Sequence, residues 1–168
     1  MIAKLARFRV ALGFVLAPIV FWLAQPTRTS IAAGALVAAA GEAIRFWAAG
    51  HLHKSREVTA SGPYRFFAHP LYLGSSVIGI GLAIASGSMT AAVVIGSYLA
   101  LALTVAARRE EAFLRRSFGD AYDRYQRGSV DAERRFSLAQ AIANREHRAL
   151  IGLLLAVLLL ALKAARNV

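Results

Sequence analysis

Two stretches of this 168-residue chain concentrate its chemically able side chains: Gly62 to Gly74, GPYRFFAHPLYLG, and Arg108 to Tyr125, RREEAFLRRSFGDAYDRY. In the first, Pro70 suits the opening turn of a helix, where its missing amide hydrogen costs little. Free amides at such a start hold a carboxylate or another anion. Arg65 adds a charged fork, and Tyr64, Phe66 and Tyr72 add stacking faces. An aromatic and basic belt at a membrane surface would use the same residue types, so both readings stand at this level. In the second stretch Glu111 and Arg115 form an i,i+4 pair able to brace an exposed helix, which leaves Glu110 the freer of the two glutamates.

Other chemistries find less support. Glu42 and Arg45 interrupt an apolar run three residues apart, and charge in hydrocarbon needs a partner or an aqueous cavity, so the pair is read as lining or bracing one. His51, His53 and His69, with Glu57 nearby, invite a metal site. The chain has no cysteine and no HExxH motif, so no metal is expected. Ser61 and Ser75 flank His69 without a GxSxG setting or a local acid, which disfavours nucleophilic catalysis. A net charge of +11 could suggest nucleic acid. However, the arginine-dense block from Arg108 to Arg148 holds ten basic residues against seven acidic ones, so little positive charge is uncompensated and no nucleic-acid partner is expected.

The elements that must position these residues are membrane spans. The chain is 58% hydrophobic with a mean hydropathy of +0.53, and long apolar segments alternate with short arginine-rich ones. The fold class expected is all-α: one integral-membrane domain over residues 1–168, a polytopic helical bundle of five transmembrane helices. The spans are Leu5 to Ala24, Ile31 to Gly50, Leu71 to Ala85, Met89 to Ala107 and Ala149 to Leu162. The first four make two hairpins with turns at Gln25 to Ser30 and Ser86 to Ser88. The fifth run has 14 residues and reaches only about 21 Å against about 30 Å of hydrocarbon, so it is expected to extend upstream toward Leu138 to Ala143. Lys4, Arg7, Arg9, Lys54, Arg56, Arg65 and the Arg108 to Arg148 block then share one side. That places the amino terminus and both polar stretches in the cytoplasm and the carboxyl terminus outside.

Taken together, Gly62-Pro63-Tyr64-Arg65, His69-Pro70-Leu71-Tyr72-Leu73-Gly74, Glu110-Glu111, Leu114, Phe118-Gly119, Tyr122 and Tyr125 resemble the paired signature of the isoprenylcysteine carboxyl methyltransferase family. Membrane-embedded phospholipid methyltransferases belong to the same wider group. The similarity covers a core of about 31–127. The resemblance implies S-adenosylmethionine-dependent methyl transfer, with a cytoplasmic cofactor pocket and a lipophilic acceptor arriving from the bilayer. Cofactor contacts carried over are Tyr64, His69, Leu71, Tyr72, Glu110, Phe118, Tyr122 and Tyr125. Arg65, Glu110 and Glu111 are the catalytic candidates, and Glu42 and Arg45 lie on the acceptor side.

The cofactor's chemistry agrees with that assignment. Its sulfonium and ammonium call for acidic or aromatic groups, and its carboxylate calls for an anion-holding element, which Arg65 or the Pro70 helix start supplies. Two departures bear on the acceptor. Ala68 stands where many members carry arginine, and Gly128-Ser129-Val130 replaces a proline-bearing segment. The acceptor is therefore left as a lipophilic small molecule, an isoprenylated thiol or carboxyl, or a lipid. The alternative is a non-catalytic membrane binding or assembly protein that keeps the fold. The expected location is a bacterial-type inner membrane, with membrane lipids as neighbours.

Overall fold

The computed structural model describes residues 2–53, 59–120 and 135–166, with side chains from residue 11 onward in the first helix. The elements are α1 (Ile2–Leu23), α2 (Arg28–His51), a 3-10 turn (Gly62–Arg65), α3 (Pro70–Ser86), α4 (Met89–Phe118), α5 (Leu138–Ala143) and α6 (Glu146–Arg166). Among the described residues there is no strand.

The hairpin turns follow local chemistry. Thr27 caps α2 in a reciprocal box: its hydroxyl accepts from the Ser30 amide at 3.1 Å while its own amide donates to Ser30 Oγ at 2.9 Å. Gly87 ends α3 in the left-handed region at φ 61°, where a side chain would be strained. The Gln25 amide donates to the Ser86 carbonyl at 2.7 Å, so both turns sit together at one end of the bundle.

Lipid tails are as apolar as leucine, so helix association in a membrane rests on close packing and polar links. Small residues let α2 and α3 supply the packing. A Cβ on Gly41 would lie 2.6 Å from the Ile78 amide nitrogen, and one on Gly81 would lie 2.5 Å from that of Ala38. Backbone therefore rests on backbone along this pair.

Among the described residues, three helices are long and apolar enough to cross a membrane: Arg28–His51, Met89–Phe118 and Glu146–Arg166. Two shorter apolar helices, Ala11–Leu23 and Pro70–Ser86, accompany them. The fifth span extends upstream by only three residues, to Glu146, and does not run on into Leu138 to Ala143. Leu138–Ala143 is a separate short helix, the chain turns through Arg145 at φ 64°, and α6 starts afresh at Glu146. Its 21 residues, about 31 Å at 1.5 Å each, come instead from Glu146-His147-Arg148 before the apolar run and Lys163 to Arg166 after it.

Polar side chains tie α6 and its approach to the rest. Asn144 Nδ2 donates to the carbonyls of Ala49 and Leu52, each at 2.8 Å, and Gln140 Nε2 donates to Leu52 at 3.0 Å. These bonds satisfy carbonyls that the end of α2 leaves open. At the opposite end Lys163 Nζ donates to the carbonyls of Phe21 and Trp22 at 2.6 and 2.9 Å, closing α1 in the same way.

Gly41→Leu is expected to destabilise the bundle by about 1–3 kcal/mol through overpacking against α3. Gly96→Leu should be nearly neutral, because a Cβ there meets nothing within 4 Å. Thermal unfolding in detergent checks the pair, and equal losses would contradict the close α2–α3 approach.

Candidate active site

The two polar stretches meet at the bundle end opposite the hairpin turns. Pro70 opens α3 and His69 precedes it with no side-chain cap bond, so the imidazole faces across to α4. Its Nε2 lies 3.4 Å from Glu111 Oε1 and its Nδ1 lies 3.8 Å from Glu110 Oε2. One ring thus faces two carboxylates that are 41 and 42 residues away in sequence. The glutamates reach it because α4 runs to Phe118, eleven residues past the expected end at Ala107, before Gly119 stops it at φ 41°. Glu111 is the closer partner of the imidazole and Glu110 the farther one, so both glutamates flank the ring. The side chains of His69, Glu110 and Glu111 are 19%, 38% and 43% exposed, open enough to receive a ligand.

The other candidates surround this cluster unevenly. The Tyr72 ring lies 5.4 Å from that of His69, tilted by 35°. Leu71 and Phe118 are half-buried, Tyr64 within the 3-10 turn is buried, and Arg65 is exposed at the end of that turn. Tyr122 and Tyr125 lie outside the described residues, as does Glu57.

The 3-10 turn is positioned by a residue read above only as a metal candidate. His51 is buried, its Nδ1 lies 3.2 Å from Ser61 Oγ, and its ring packs within 6.5 Å of Trp47 and 6.2 Å of Phe136. Gly62 takes φ 59° against that ring, and a Cβ there would come within 2.5 Å of His51 Cδ2. His51 therefore clamps the GPYR turn onto the end of α2. It does not join His69, which is occupied with the glutamates.

Beneath this cluster lies a second polar centre. Arg45 Nε donates to Glu146 Oε1 at 2.5 Å, and a terminal nitrogen donates to Ser75 Oγ at 2.5 Å. Ser75 Oγ in turn donates a hydrogen bond to the Leu71 carbonyl at 2.8 Å. Glu42 is buried with an oxygen 3.8 Å from Arg45 Nε and no hydrogen bond to either carboxylate oxygen among the described residues. Arg45 and Ser75 form the polar end of a cavity of about 510 Å³ between α1, α3, α4 and α6. The rest of its wall is mostly apolar, with Ala17, Leu82, Leu99 and Leu160 representative, and Tyr98 and Ser86 add hydroxyls farther from Arg45.

Arg45 lines this cavity, whereas Glu42 stands behind it. Sequence reading missed Glu146. The signal was there: the fifth apolar run was too short, and any lengthening at its start brings in an acid that needs a cation, which Arg45 supplies. Ser75 lies six residues past His69 on α3, about 9 Å along the axis, so the cavity's polar end sits under the His69 cluster.

The phospholipid methyltransferase family model matches residues 8–121. The chain is 32% identical over 108 residues to the nickel-cobalt-cadmium resistance protein NccN of Alcaligenes xylosoxydans xylosoxydans, covering 63% of this chain and 49% of that protein. It thus spans about half the length of this curated relative. No solved structure matches it.

With no native cysteine, the chain is suited to a cross-linking check of the meeting point. His69→Cys with Glu111→Cys should join through a short bifunctional thiol reagent, while His69→Cys with Gly96→Cys should not. Failure of the first pair in folded protein would separate the two stretches.

Proposed function

The chain belongs to the phospholipid methyltransferase family, and from that premise we propose that it moves a methyl group from S-adenosylmethionine to a lipophilic acceptor held in the membrane. The observation that carries the reading is the meeting of His69 with Glu110 and Glu111 at the start of α3, the helix that about 9 Å farther along puts Ser75 at the polar end of a largely apolar cavity. The donor set suits the cofactor. Two carboxylates and the Tyr72 and Tyr64 rings offer what its cationic groups need, and Arg65 with the α3 start offers what its carboxylate needs.

Glu110 and Glu111 would take the ammonium or the ribose hydroxyls, and His69 fixes their direction by facing both. When bound, the cofactor supplies an already activated methyl on sulfur, so no protein nucleophile or metal is required. The chain's own contribution is alignment and exclusion of water. The His51 clamp holds the GPYR turn as a wall, and the apolar cavity brings the acceptor up from the hydrocarbon side. Arg45 and Ser75 would orient the acceptor's polar portion below the reacting atoms.

The same reading assigns the five apolar helices to five crossings of a bacterial-type inner membrane, with the His69 end in the cytoplasm. Arg65, Arg108, Arg109, Arg115, Arg116, Arg135, Arg145 and Arg148 gather at that end, against Arg28, Lys163 and Arg166 at the other. That asymmetry matches the cytoplasmic bias of arginine and lysine.

Saturable binding of S-adenosylhomocysteine to the full chain in nanodiscs is the expected result. His69→Ala and Glu111→Ala should each weaken it by about tenfold or more, the scale of a lost hydrogen bond to a charged group. Arg28→Ala, at the far end, should leave it unchanged. In right-side-out vesicles binding should appear only after the vesicles are opened. Labelled S-adenosylmethionine should mark a component of whole-membrane lipid and thiol extracts. Folded protein with no saturable binding would overturn the reading.

A further inference from the structure

Helix α6 lies wholly beyond the family-matched residues 8–121, yet it supplies Ala149, Gly152, Leu153, Ala156, Leu159 and Leu160 to the cavity wall. Its polar ties fall near its two ends: Glu146 on Arg45 at one, Lys163 on the carbonyls of Phe21 and Trp22 at the other. Between these ties it stands against the hollow. Three glycines line the cavity, and they differ in what faces them. Gly13 already has the Tyr98 side chain against it, where a Cβ would come within 2.6 Å of Tyr98 Oη, and Gly79 is covered by Leu99. Gly152 is exposed and a Cβ there would meet nothing within 4 Å. Room for added bulk is therefore found on the α6 wall, while the glycines of α1 and α3 have none.

We propose that α6 is the measuring wall of the acceptor cavity, with Gly152 and Ala156 fixing how long an apolar chain is admitted below Arg45 and Ser75. This rests on the reading of the cavity as the acceptor site. Gly152 and Ala156 lie six and ten residues past Glu146, about 9 and 15 Å along the helix, so they mark two depths under the polar end. The occupant is one apolar chain with a hydrogen-bonding head. Apolar lining sets the first feature. The second follows from Arg45 and Ser75, because the guanidinium sits beside both Glu42 and Glu146 and so offers hydrogen bonds without a net positive field. A straight-chain primary alcohol is the simplest probe of both features.

The test uses the full chain in detergent with an equimolar mixture of octanol, dodecanol and octadecanol. Native mass spectrometry reads the retained alcohols, and S-adenosylhomocysteine binding is measured in parallel. Wild type is expected to keep all three. Ala156→Phe should lower octadecanol retention by about tenfold. Gly152→Phe should lower dodecanol retention as well and spare octanol. Gly152→Leu, a smaller intrusion, should follow the same order if the phenylalanine variant does not fold, and Gly96→Phe, outside the cavity, should behave as wild type. Equal retention by all folded variants, a reversed order of depths, or the same loss in Gly96→Phe would overturn the proposal. A depth series without cofactor binding would reject the methyl-donor reading and keep the wall; cofactor binding without a depth series would reject the wall alone.

Discussion

A guanidinium inside a hydrophobic bundle must be paired, because an isolated charge there costs several kcal/mol even after relaxation. Arg45 meets that demand with Glu146 from α6 and Ser75 from α3, and Glu42 stands one turn before it on α2. One side chain thereby links three helices at a fixed depth. Without Glu146, α6 would lose its tie at the Arg45 end, and the cavity between α6 and α1 would lose its polar boundary. The position of the hollow, and of the groups that can receive a ligand's head, follows from this charge and its partners.

Helix α3 couples that centre to the surface cluster. Ser75 holds Arg45, while His69, at the start of the same helix, faces Glu110 and Glu111. Close backbone packing at Gly41 and Gly81 fixes α3 against α2, and His51 fixes the preceding turn to the end of α2. The result is a rigid frame of α2 and α3 with α4 supplying carboxylates from one side. α6 closes the cavity from another. Rigid placement is what a reaction limited by alignment needs.

Much of this was legible in the sequence, and the rest was not for definable reasons. Apolar runs gave the helices, and Gly87 and Pro70 marked their limits, because those signals are local. The meeting of GPYRFFAHPLYLG with Glu110 and Glu111 followed from helix count alone: two helices joined by a tight turn between the stretches return the chain to the same end. The course of α5 and α6 could not be read that way. LAQAIA looked like a continuation of an apolar helix, and only Asn144 and Gln140 bonding to the end of α2 explain why it docks there as a separate turn. The packing role of His51 was not foreseen because its partner is the hydroxyl of Ser61 across a turn, a contact that histidine spacing does not encode. Glu146 was hidden among arginines, which made a buried acid look like part of a solvated face.

The central claim is that one nucleoside-sized molecule is enclosed by the start of α3 and the end of α4. Ultraviolet cross-linking of labelled S-adenosylmethionine to the full chain in nanodiscs, followed by peptide mapping, addresses it most directly. The account predicts label in both the Gly62 to Tyr72 and the Glu110 to Phe118 peptides, displaced by S-adenosylhomocysteine. Displaceable label at the Gln25 and Ser86 end, or confined to just one of those two peptides, would contradict it.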